Sequence, residues 1–151
     1  MQIIAHEMEY RGPEVNSAPQ LRGYEPRDYE QYRVMYNAGF HDMRQALGLT
    51  PVDCCDDAET LESKREHLFV LEEEGTLIGT VAIFDHEIDD LVVNQAYQRR
   101  GYGRALLAFA VARLQQQGIT PITLHVADWN QGALRLYQDF GFVVTKTERV
   151  R

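Results

Sequence analysis

The spacing of apolar and polar residues changes several times along the chain, and each change marks an element. Residues 2–10 alternate, with Ile4, His6, Met8 and Tyr10 set against Ala5, Glu7 and Glu9, a period of two that predicts a strand. Gly12-Pro13 and the run Asn16–Pro19 break it with turn residues. A second short strand fits Leu21–Tyr24. Pro26 stands where a first-turn proline is tolerated, and Tyr29, Tyr32, Val34, Met35 and Tyr36 follow at helical spacing. Gly39 is read as the end of that helix, with a shorter helix over His41–Leu47 closed by Gly48.

After the acidic stretch Asp53–Glu59, read as a solvated loop or helix start, the period changes. His67–Leu71 and Thr76–Phe84 are apolar and rich in β-branched residues, and Glu72-Glu73-Glu74-Gly75 between them signals a hairpin. Glu87–Val93 continues the run as a third strand. Gly103–Gln117 carries Leu106, Leu107, Ala110, Val111 and Leu114 on one helical face, and Gly118 stops it. Ile122–Val126 reads as a strand, Asn130–Phe140 as a helix and Phe142–Thr147 as a last strand. A meander followed by strand–helix–strand–helix–strand predicts an α/β molecule of the α+β type, with helices packed on a mixed sheet. No boundary interrupts the pattern, so residues 1–151 are read as one domain.

Composition narrows the function classes. With 44% apolar and 25% charged residues over 151 positions, the chain has ordinary globular usage and length enough for a core. Arg113 closes the longest apolar run, Ala105–Ala112, far short of the ~20 residues a membrane span needs. The first residues lack both a basic start and a long apolar stretch, so the expectation is a soluble, cytoplasmic protein with no membrane partner. A formal charge of -8 argues against nucleic acid, which requires clustered cations. Cys54 and Cys55 are neighbours; a bridge between them would strain the intervening peptide, and no His or Cys lies at metal-ligand spacing. They are read as ordinary thiols, and no metal is expected.

The segment Leu91–Ala105 carries the chemistry. An apolar strand runs into a turn with two glycines and two arginines, then directly into an Ala/Leu-rich helix. The start of a helix leaves N–H groups unpaired and carries about half a positive charge, and glycine lets the backbone approach an anion closely. This is a phosphate cradle. The glycine spacing and the Lys-Ser/Thr of a P-loop are absent. A dinucleotide fingerprint would need a third glycine where Leu106 stands, and Asp128 after the next strand is a poor match to its acidic residue.

Gln98-Arg99-Arg100-Gly101-Tyr102-Gly103 resembles the pyrophosphate-binding signature of the GNAT acetyltransferase superfamily, Gln/Arg-x-x-Gly-x-Gly/Ala. Downstream, Asn130, Ala133, Tyr137 and Gly141-Phe142 resemble the second cofactor segment of that family, in the same order. The likeness covers residues 67–147 most fully, 20–50 more loosely, and not 1–19. It implies a mixed, mostly antiparallel central sheet of six to seven strands with helices on both faces. Residues 20–151 would form that core, with 1–19 an extension. It also implies an enzyme that uses acetyl-CoA as co-substrate and acetylates an amine by direct attack.

The resemblance assigns roles residue by residue. Backbone groups of Arg99, Arg100, Gly101, Tyr102, Gly103 and Arg104, with Gln98 beside them, would hold the pyrophosphate. Main-chain groups of Leu91, Val92 and Val93 would grip the pantetheine arm. Asn130 would cap its helix and approach the same arm, with Ala133 on the same face. Tyr137 would protonate the departing thiolate. Glu87, eleven residues before Gln98, stands where the histone-acetylating branch carries its catalytic glutamate, and is the candidate proton acceptor. Strict alternation would put Asp89 on its face and Asp90 on the other. His125 is read as a structural histidine.

Tyr24, Tyr29, Tyr32, Tyr36 and Phe40 occupy the region that shapes the acceptor pocket in the family, although their spacing suits a core equally well. The acidic surface favours a small cationic amine, with a peptide lysine or N-terminus as the alternative acceptor and a non-catalytic acyl-CoA-binding module as the alternative function. Family members end with two strands after the fourth helix where this sequence shows one. The missing strand is expected from residues 1–19 or from a partner chain, as in a homodimer.

Overall fold

The structure, a computed structural model, describes residues 3–53 and 55–149. Gln2, the expected start of the first strand, and Cys54 lie outside the described residues. The elements in chain order are β1 (Ile4–Tyr10), β2 (Arg22–Gly23), α1 (Tyr29–Ala46), α2 (Ala58–Ser63), β3 (Leu68–Glu73), β4 (Thr76–Phe84), β5 (Glu87–Val93), α3 (Tyr102–Gln116), β6 (Thr123–Ala127), α4 (Gln131–Phe140) and β7 (Phe142–Arg149). The sheet has seven strands in the order β2-β3-β4-β5-β6-β1-β7, antiparallel throughout except for β5 against β6. The expected mixed, mostly antiparallel sheet is present.

Two apolar layers enclose the sheet. Leu106, Leu107, Ala110, Val111 and Leu114 of α3 and Tyr137 of α4 pack with Val81, Ile83, Leu124 and Phe142. Tyr32 and Met35 of α1 and Leu61 of α2 pack with Leu68, Val70, Ala82 and Val92 on the other face. Full burial of one such aliphatic side chain contributes about 1.5–3 kcal/mol. The β3–β4 hairpin turns through Glu74 and Gly75, both at positive φ (50° and 82°), the handedness a two-residue hairpin requires. Asp57 caps α2 by accepting from the Thr60 amide at 2.8 Å, which places the helix start at the end of the acidic stretch.

One helix stands where two were expected. α1 runs through Gly39 to Ala46, and the left-handed residue that follows is Gly48 (φ 68°). Gly39 is there for space: a Cβ on it would come 2.7 Å from Val92 Cγ1, where α1 crosses β5.

The N-terminal strand is interior to the sheet. β1 pairs with β6 from Ala5–Ala127 to Glu9–Thr123 and with β7 from Ile4–Arg149 to Tyr10–Phe142. Met8 is completely buried in the α3–α4 layer. Of the two sources expected for the missing strand, the chain's own N-terminal segment supplies it. Residues 11–21 then cross α3, held by the Val15 amide donating to Gln115 Oε1 at 2.8 Å, and reach the opposite edge of the sheet. There Arg22 donates to both carboxylate oxygens of the buried Asp28 at 2.8 and 2.7 Å and to Glu72 at 2.9 Å.

Among the described residues β5 and β6 pair at Glu87–Thr123 and Ile88–Leu124 and then part. The departure coincides with a bulge in β5: Thr80 faces Val92 and Ala82 faces Asp89, so Asp90 and Leu91 together oppose Val81. Asp90 takes φ 46° there. Beyond the bulge β5 keeps β4 but leaves β6, and a gap opens in the middle of the sheet.

Candidate active site

A cavity of about 300 Å³ occupies this gap. β5 contributes Asp89, Asp90 and Leu91, and β6 contributes His125 and Ala127. Tyr36, Phe40 and Arg44 of α1 close it on one face of the sheet, and Asn130, Ala133 and Tyr137 close it on the other. The gap therefore passes from one helical layer to the other.

At the end of β5, Asn94 fixes the exit of the chain. Its Nδ2 donates to Leu77 O at 2.9 Å and its Oδ1 accepts from the Ala96 amide at 3.0 Å. Arg99 (φ 65°) and Gly101 (φ 84°) are both left-handed, and they curl the backbone immediately before Tyr102 opens α3. No side chain caps this helix start and its first turn contains no acidic residue. The unpaired N–H groups and the dipole of a 15-residue helix thus converge on a cationic rim. Arg100 stacks over Tyr97 at 5.5 Å and Arg104 over Phe140 at 5.0 Å, which holds both guanidinium groups beside the turn. This arrangement suits a diphosphate.

Gln98 to Arg104 gather at this cradle, with Gln98 Nε2 reaching back to Val93 O at 3.5 Å. Gly103 has a packing reason as well, since a Cβ would meet Leu136 Cδ2 at 3.2 Å where α3 approaches α4. Leu91 and Val93 pack toward α3 and Val92 toward α1, so their side chains serve the two cores while their main chain borders the gap. Asn130 caps α4 through Oδ1, which accepts from the Ala133 amide at 3.2 Å. A pyrophosphate at the start of α3 and an extended arm along β5 both fit the residues present.

Tyr137 is 9% exposed, and its hydroxyl has no hydrogen-bond partner among the described residues although it lines the cavity. Burial, reinforced by the charge of Asp89, pushes its pKa up to about 12. It therefore carries its proton at neutral pH.

Glu87 lies outside the cavity wall, and its carboxylate is hydrogen-bonded to His125 Nδ1. The other ring nitrogen of His125 faces Glu7 Oε1 at 3.8 Å. The imidazole that the sequence suggested was structural thus lines the cavity, flanked by carboxylates from β5 and β1. Asp89 also lines the cavity; Asp90 does too, because the bulge breaks the alternation that would have turned it away. Burial, then the neighbouring Asp89, push the Asp90 pKa up to about 6, against the opposing influence of Lys64 and the Tyr36 hydroxyl. Asp90 is the group that sequence reasoning missed. Two successive aspartates in a strand were its one visible signal.

The sequence model of the acetyltransferase (GNAT) family matches residues 29–142. A mycothiol acetyltransferase of Thermobispora bispora is 28% identical over 142 residues, covering 86% of this chain and 48% of that protein. A ribosomal protein bS18-alanine N-acetyltransferase of Escherichia coli K12 is 34% identical over 65 residues, covering 43% of this chain and 44% of that one. The chain thus spans about half the length, or less, of these curated relatives. A solved acetyltransferase of Salmonella typhimurium in complex with acetyl-CoA superposes with a TM-score of 0.64 at 21% identity, over 86% of this chain and 82% of its own.

Proposed function

Because the chain belongs to the GNAT family of acetyltransferases, we propose that it transfers an acetyl group from acetyl-CoA to a primary amine, with a small cationic amine as acceptor. The uncapped start of α3 supports this reading most directly, because it opens beside a gap that leads to Tyr137. Acetyl-CoA would supply a thioester carbonyl open to attack. The first turn of α3, with Arg100 and Arg104, holds the diphosphate, and an arginine can pair a phosphate through two N–H groups. Leu91, Val92 and Val93 offer main-chain groups to the pantetheine arm, since β5 has parted from β6 at their level. Asn130 orients the start of α4, and Ala133 leaves room beside it.

In the reaction Tyr137 acts as general acid. Its proton, retained at neutral pH, goes to the sulfur as the C–S bond breaks. Glu87 enters as the partner that holds the His125 ring at the cavity wall. A small cationic acceptor is favoured because the cavity is about 300 Å³ and carries two aspartates.

Calorimetric titration with acetyl-CoA tests the reading, comparing wild type with Gly103→Glu and the surface variant Arg100→Glu. Micromolar binding by the wild type that falls at least tenfold in both variants supports it. Absence of binding by a folded wild-type protein removes its basis.

A further inference from the structure

The acetyl-transfer reading leaves open how an amine that arrives protonated loses its proton. An alkylammonium has a pKa near 10, so about one molecule in a thousand is neutral at pH 7. Glu87 is poorly placed to take that proton directly, since its carboxylate is engaged by His125 and does not line the cavity. Resting on the acetyl-transfer reading, we propose that Asp90 receives the acceptor's ammonium group and takes its first proton, from the α1 side of the gap, while Tyr137 works from the α4 side.

Three independent features of the structure support this. Asp90 lies on the bulge where β5 leaves β6, so its side chain reaches the gap that the bulge creates. Its φ of 46° lies in the left-handed region, which aspartate and asparagine enter more readily than most residues and which recurs at functional sites. Across the same cavity stands Tyr137, a buried residue whose hydroxyl has no hydrogen-bond partner among the described residues, and an amine nitrogen and a thioester sulfur between the two would provide one.

The surroundings tune Asp90 for the task. Asp89 precedes it at the bulge, with Oδ1 accepting from the Asp90 amide at 2.8 Å. From α1, the Tyr36 hydroxyl donates to Asp90 Oδ1 at 3.4 Å, and Tyr32 and Arg44 face the same region. Lys64 and Asp56, paired with each other at 2.6 Å, approach from the segment before β3. His125 faces it from β6 and Tyr137 from α4. Burial and Asp89 keep the carboxyl a better base than an exposed aspartate, and the group is still largely ionised at pH 7.

The protons balance. The ammonium passes one proton to the Asp90 carboxylate, and the freed lone pair forms the N–C bond to the acetyl carbon. The C–S bond breaks, and the sulfur, leaving with the electron pair, takes the Tyr137 phenolic proton. The second surplus proton on nitrogen restores the phenol, and Asp90 releases its proton to solvent.

The experiment compares wild type, Asp90→Asn and Glu87→Gln by acetyl-CoA calorimetry and by thiol release with a panel of primary amines between pH 5 and 9. Asparagine tolerates left-handed backbone well, so Asp90→Asn should fold. Expected are unchanged acetyl-CoA affinity and a kcat/KM at pH 7 lower by about 100-fold, the lower end of what a positioned base provides. The acidic limb of the wild-type profile should vanish in the variant. With an amine whose pKa is below about 6, already neutral on arrival, the loss should shrink to a few-fold. An Asp90→Asn enzyme within threefold of wild type, or a loss equally large for the low-pKa amine, overturns the proposal while leaving acetyl transfer standing. So does a wild type that binds acetyl-CoA and acetylates no amine in the panel. A wild type that fails to bind acetyl-CoA overturns the acetyl-transfer reading itself.

Discussion

Asp90→Asn should make the protein more stable by the same change that makes it a poorer catalyst. The carboxyl has a pKa of 3.8 as a model group and about 6 in the fold, chiefly because burial disfavours its charge. At 1.36 kcal/mol for each tenfold change, holding Asp90 ionised in the native state costs at most about 3 kcal/mol. The native state binds the proton more tightly than the unfolded chain does. The contribution of Asp90 to stability is therefore fullest below pH 4 and is lost as pH rises through about 6. Asparagine carries no charge, keeps an oxygen to accept from Tyr36, and adopts positive φ more readily than most residues. The variant should exceed wild type by up to about 3 kcal/mol at pH 8, a rise in Tm of up to about 6–12 °C for a chain of this size. The difference should close between pH 6 and 4. Thermal and urea unfolding of both proteins across pH 4–8 measures it. A variant equal to or weaker than wild type at pH 8, or a difference that ignores pH, would refute the account of Asp90 as a carboxylate strained by burial.

Other expectations concern separate parts of the molecule. Tyr137→Phe should lower kcat by about 100-fold in the thiol-release assay, and unfolding should be unchanged or slightly improved because the lost hydroxyl has no hydrogen-bond partner among the described residues. Gly39→Ala should destabilise by about 1–3 kcal/mol in urea, because the new methyl would sit 2.7 Å from Val92 Cγ1 and outweigh the helix propensity gained. Arg22→Ala leaves buried Asp28 without its fork and should cost about 3–5 kcal/mol, read by the same titration. Lysine at position 22 should restore only part of that, since it cannot donate to both oxygens in one plane.

The local signals in the sequence were sound wherever they depended on neighbouring residues. Turn residues located the β3–β4 hairpin, alternation located β1, the β-branched apolar run located β4, and the Gln98–Gly103 run located the start of α3 to within a residue. Asn130 caps α4 as its residue type suggested, because a cap bond spans only three residues. Gly39 misled for the opposite reason. Its role is set by Val92, more than fifty positions away, and helical periodicity contains no trace of that contact.

Sequence by itself therefore determined the family-like order of elements, the glycine turn that opens α3 and the helix that carries Tyr137. The tertiary structure alone decided that β1 fills the interior of the sheet, since strand pairing joins residues at opposite ends of the chain. It alone engaged Glu87 with His125 and brought Asp90 into the cavity, because one extra residue in a strand reverses the facing of its side chains, and whether a strand bulges is settled by the partner it must stay paired with.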